Sequence, residues 1–152
     1  MPVDVDTNSL TAVAPDIWEM MLGLQLEPVT GSVTGRVEGD HTITGLVTVV
    51  GGWTGAITVE TSLDAARRFA ATMFVSELEA ISTDEVYDAI AELTNMTGGS
   101  IKNLMPGVST LGIPTVTEGT GYTVRVPRTI ALQGLVYLCE DEPVVVTLFE
   151  SL

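Results

Sequence analysis

The chain has 152 residues, 45% apolar and only 17% charged, which fits one globular domain with a hydrophobic core and leaves too little length for two. Its 20 acidic and 6 basic residues give a formal net charge of −14, so nucleic-acid backbones and anionic membrane surfaces would repel it on average. The one cysteine, Cys139, rules out an intrachain disulfide and makes a Cys-rich metal site implausible; inside the apolar run IALQGLVYLCE it reads as a buried thiol.

The opening MPVDVDTNSL is acidic and lacks the basic and apolar regions of a secretory signal. No apolar run approaches the roughly 20 residues that span a bilayer, so a cytoplasmic protein is expected. In APDIWEMMLGLQLEP, Ile17, Met20, Met21 and Leu24 fall at helical spacing, predicting an amphipathic helix that Pro28 must end. The Val-, Thr- and Gly-rich stretch from Gly31 to Ser62 predicts two or three strands, with tight turns at Gly39-Asp40 and Gly51-Gly52. His41 is the only histidine, so it has no partner for a metal site and reads as a turn or strand-edge residue.

Ser62 is a natural N-cap for LDAARRFAATMFV, where Ala66, Phe69, Ala70 and Met73 form a face to pack on a sheet. Arg67 and Arg68 read first as the solvated side of that helix, with docking of an acidic partner as the alternative. A second helix starts at STDE, because Ser82 and Glu85 have the spacing of a capping box. From Thr110 onward TLGIPTVTEG, YTVRV, TIALQGLVYLCE and PVVVTLFE read as strands, the last two joined by the turn-like EDEP. The whole, residues 1–152, is expected to be a single α+β domain with a largely antiparallel sheet packed against long helices. Its halves look roughly alike, each passing from helix into strands, without a clean sequence repeat.

The segment DAIAELTNMTGGSIKNLMPG carries the functional question. At about 100° per residue, Val86, Ile90, Leu93 and Thr97 gather on one side, and Asp88, Glu92 and Asn95 on nearly the opposite one. Asparagine is a poor helix former, and Gly98-Gly99 follow it. A solvated stripe that ends in helix unwinding is one reading. A metal site or a glycosidase-type carboxylate pair is another, weakened because one helix cannot set two carboxylates across a sugar.

A third reading comes from resemblance. DAIAELTNM fits the D/S-x-x-x-E-x-x-N signature of the CheC/CheX/FliY family of chemotaxis phosphatases, which act on the phosphorylated response regulator CheY. GGSIKNLMPG is similar to the continuation of that helix in CheX-like proteins, and LGIPTV with Pro114 to their L-P-T-V strand segment. The motif occurs once, as in CheX and unlike two-site CheC. The resemblance implies a pseudo-symmetric CheC/CheX-like fold and a phosphatase acting on the aspartyl phosphate of a CheY-type receiver, the alternative being a non-catalytic receiver-binding or signalling interaction module of the same fold.

It further implies Asn95 orienting the attacking water and Glu92 contacting the receiver's lysine. The chemistry is consistent: a carboxamide offers donors and an acceptor without charge, whereas a carboxylate would repel the phosphoryl group. Asp88, Gly98, Gly99 and Lys102 are candidate docking positions, with solvation or helix structure as the plainer role for Asp88 and Lys102, and also for Asn103. No cofactor of its own is implied, Mg2+ being supplied by the receiver. A homodimer formed at sheet edges is implied too, with PVVVTLFE as a plausible edge strand.

Overall fold

The computed structural model describes residues 5–29 and 41–152; the turn expected at Gly39-Asp40 lies outside them. Helix α1, Thr7–Leu22, starts at Asp6, whose carboxylate accepts from the Asn8 N–H and the Ser9 hydroxyl and is held below the usual carboxylate range by Ser9 and then Asn8. It buries Leu10, Ala14, Ile17, Trp18 and Leu22. The expected stripe is therefore corrected. The Trp18 ring takes the core position, edge-on to Phe69 with centroids 5.8 Å apart, and turns Met20 outward to 68% exposure. Gly23, in the left-handed conformation, ends the helix before Pro28 is reached.

The chain continues through a short strand, β1 (Glu27–Pro28), and then a hairpin of β2 (Thr42–Gly51) and β3 (Gly55–Ser62), which turns at Gly51-Gly52 as its glycines predict. Helix α2, Leu63–Met73, is capped by the Ser62 hydroxyl and buries Ala65, Ala66, Phe69 and Ala70. A single 3-10 turn, Leu78–Ala80, leads into α3, Thr83–Leu104. Strands β4 (Ser109–Leu111), β5 (Thr115–Gly119), β6 (Thr129–Cys139) and β7 (Glu142–Ser151) follow.

Among the described residues all the strand pairings are antiparallel, in the order β1-β6-β7-β3-β2-β4, with β5 also paired to β2. Alternation along the central strands puts Ile43, Val47 and Val49 of β2, Ile57 and Val59 of β3, and Val144, Val146 and Leu148 of β7 on one face, all buried beneath the three α-helices. Two sequence expectations change. YTVRV is not a strand: Tyr122 crosses the opposite face, its hydroxyl 2.7 Å from that of Thr44. PVVVTLFE is not an edge either, since β7 lies between β6 and β3. Its run of valines, buried on both faces, reflects that central place.

The β6–β7 turn is a two-residue hairpin loop of Glu140 and Asp141, at φ 50° and 68°, with Cys139 paired to Glu142. Both left-handed residues suit the twist of the strands they join. Cys139 is buried, and burial pushes its thiol up from the usual range.

Candidate functional site

Helix α3 is built to hold one face steady. Its start is fixed by the full capping box, in which the Ser82 hydroxyl accepts from the Glu85 N–H at 3.1 Å and the Glu85 carboxylate accepts from the Ser82 N–H at 3.0 Å. Val86, Ala89, Ile90, Leu93, Thr94, Thr97, Gly98 and Ile101 are buried. The two buried threonine hydroxyls are satisfied within the helix, Thr94 donating to the Ile90 carbonyl at 2.6 Å and Thr97 to that of Leu93 at 2.7 Å.

The helix runs unbroken through Gly98-Gly99, so these glycines do not end it. The docking expectation for Gly98 is corrected. It is buried against the protein's own strand, and an added Cβ would lie 2.5 Å from Val47 Cγ1. Gly99 is half-buried, and an added Cβ there would meet only Leu111 Cδ2, at 3.8 Å, beyond its own helix. Lys102 is also partly engaged within the chain, its Nζ donating to the Ser109 carbonyl at 3.2 Å and tying the helix end to β4.

On the outer face Asp88 and Glu92 are exposed and Asn95 is half-buried. Among the described residues none of these three side chains makes a hydrogen bond or ion pair. Glu92 and Asn95 are three residues apart, which on an α-helix makes them neighbours. The helix therefore presents an acid and, one turn on, a neutral amide with free donors and acceptor.

Sequence reasoning missed a cluster beside this face. The Glu118 carboxylate of β5 accepts from the Tyr87 hydroxyl of α3 at 2.9 Å and pairs with His41 Nε2 at the start of β2. The Tyr87 bond, and secondly His41, hold Glu118 below the usual glutamate range. The same bond raises the Tyr87 phenol. No local signal reveals it, because His41 and Glu118 lie 77 residues apart. Arg67 and Arg68, read as solvated, have partners: Arg67 donates to the Leu78 carbonyl at 3.2 Å, and Arg68 reaches Glu140 and Glu142 at 3.9 and 3.8 Å.

The family model described as "Chemotaxis phosphatase CheX" matches residues 43–149, which include all of α3 and β3 to β6 and most of β2 and β7. The chain belongs to the CheX family. No curated protein matches it in sequence. Among solved structures it is similar to CheX from Vibrio vulnificus, with a TM-score of 0.77 and 19% identity over 95% of each chain. It is similar to the chain in a CheX-CheY-BeF3-Mg2+ complex from Borrelia burgdorferi, with a TM-score of 0.68 and 14% identity over 98% of this chain and 100% of that one. Thermotoga maritima FliY matches with a TM-score of 0.66 and 15% identity over 94% of this chain and 85% of the other. At such identities the likeness establishes the fold, which is the CheC/CheX-like α+β fold. No helix of this CheX-family chain, among the described residues, is long and apolar enough to cross a membrane.

Proposed function

We propose that this CheX-family protein accelerates hydrolysis of the aspartyl phosphate on a CheY-type receiver domain, working from the outer face of α3. The observation that carries the reading is the placing on that face of an exposed Glu92 beside an Asn95 amide that has no hydrogen-bond partner among the described residues. Asn95 enters the receiver's phosphorylated pocket and holds a water in line with phosphorus, giving it an acceptor without adding charge. Glu92 accepts from the receiver's lysine and sets the register of docking. Asp88, exposed one turn earlier, extends the contact. The receiver brings its own Mg2+, as the composition of the Borrelia complex supports. The water's attack breaks the P–O bond to the receiver aspartate, leaving a carboxylate and inorganic phosphate.

The reading places the protein with its receiver in the cytoplasm, as a homodimer. Since β7 is interior, dimer pairing falls to the outer edges of β1 or of β4 and β5. The deciding experiment follows decay of phosphorylated receiver domains from the same genome, with Mg2+, in the presence of wild type or Asn95→Ala. Wild type shortens the phosphate lifetime of one receiver and the variant loses about 10²-fold or more of that effect. Equal lifetimes with wild type and variant would leave a protein that acts by binding alone.

A further inference from the structure

A second surface, with no α3 residue in its lining, is shaped for a partner. Between the C-terminal half of α2 and the β6–β7 turn lies a groove of about 550 Å3, whose lining includes Leu24, Phe69, Ala71, Val75, Leu78 and Cys139. Three large apolar residues are exposed at or beside it: Phe74 at 42%, Val75 at 93% and Leu78 at 41%.

Val75 stands out for its backbone as well. It follows the Phe74 cap of α2, where the Ser76 N–H bonds the Ala71 carbonyl at 2.9 Å and the Val75 N–H that of Thr72 at 3.4 Å. This Schellman ending calls for glycine, and the chain instead has a β-branched residue at φ 51°. Neither helix stability nor solubility is served by a valine there. An apolar side chain held out in a strained conformation is the mark of a contact made with something else.

The rim states the charge of that something. Glu77 and Glu140 line the groove, Glu79 follows in the 3-10 turn, and Asp141 and Glu142 adjoin Glu140; of the two cations there, Arg68 in the lining is already shared between Glu140 and Glu142, and Arg67 beside it is bound to the Leu78 carbonyl. A second copy of the chain is a poor occupant, because it carries net charge −14 and 6 basic residues in all. Anionic lipid and nucleic acid are poorer still.

We infer that the groove docks a basic amphipathic segment of another protein, its aliphatic side chains against Val75 and Leu78 and its lysines or arginines against the acidic rim. Since α3 takes no part, the phosphorylated partner and this segment can be held at once, and the inference stands independently of the catalytic one.

The test uses fluorescein-labelled 14-residue peptides in fluorescence anisotropy titrations. One is a Leu/Lys helix former with leucines on one face, the second has Glu for each Lys, and the third has Ser for each Leu. Only the Leu/Lys peptide binds saturably. The double variant Glu77→Lys, Glu140→Lys weakens it at least tenfold, while Asp88→Lys with Glu92→Lys leaves it unchanged. Val75→Asn relieves the backbone, so its melting point does not fall, yet it weakens binding at least threefold. Binding indifferent to the groove variants, or lost in the α3 pair instead, overturns the inference. So does equal binding of the Leu/Glu peptide, or concentration-dependent self-association of the protein that Val75→Asn abolishes.

Discussion

The Thr94 hydroxyl of α3 occupies the space that a side chain at Gly45 of β2 would need, so the helix seats its threonine directly on the strand backbone. An added Cβ there would also press Ile90 Cγ2 at 3.2 Å. Gly45→Ala should therefore cost about 2 kcal/mol by overpacking, read as a lower urea midpoint with an unchanged m-value.

The two glycines in α3 should answer alanine in opposite senses. At Gly99 there is room and a helical backbone, so alanine should raise stability by about 1 kcal/mol. At Gly98 the new methyl meets Val47, and the same substitution should lower it. Paired chemical denaturation curves give both signs.

Asn95→Ala and Glu92→Ala should leave folding stability within about 0.5 kcal/mol, because neither side chain has a hydrogen-bond or ion-pair partner among the described residues. Their losses should differ in kind. Asn95→Ala lowers the maximal rate of receiver dephosphorylation, whereas Glu92→Ala raises the half-saturating receiver concentration by about tenfold, about 1.4 kcal/mol. Steady-state titration of receiver separates the two.

The Tyr87–Glu118–His41 cluster sets a pH dependence with a definite sign. Glu118 is depressed in the folded state, first by the Tyr87 bond, so its contribution is complete above the unfolded value, about 4.3. It fades as pH falls from there through the folded pKa. Tyr87→Phe removes the larger cause, so the fall in melting temperature should become shallower across that acidic interval. Midpoints of both proteins measured from pH 7 to pH 3 test this; identical slopes would refute it.

Val75→Gly should stabilise the protein by about 1 kcal/mol, since glycine meets the left-handed position at the end of α2 without steric cost. Calorimetry would show the higher midpoint.

Local chemistry was readable in advance and long-range geometry was not. Ser82 and Glu85 announced the start of α3, Ser62 that of α2, and Gly51-Gly52 the first hairpin, because caps and turns are decided within four residues. The split of α3 into a buried Val86, Ile90, Leu93, Thr97 side and an Asp88, Glu92, Asn95 side follows from period alone. The outward turn of Met20 depended on Trp18 meeting Phe69, a contact across 51 positions of sequence. Likewise Gly45 gives no hint that Thr94 lies against it, and YTVRV alternates like a strand yet is not one in the fold. The family match establishes the family that the motif resembles, while periodicity alone leaves several uses of the α3 face open.

The order of strands bears on how the protein comes into being. Strands β2 to β5 and the helices between them, residues 42–119, form the seat of α3 as one continuous stretch, while β6 and β7 enter last, between β1 and β3. During synthesis the inner edge of β3 thus stands unpaired until the final hairpin leaves the ribosome. A chain that stalls before Thr129 would carry α3 on a sheet whose β3 edge is still open, the kind of edge on which strands of other chains can add.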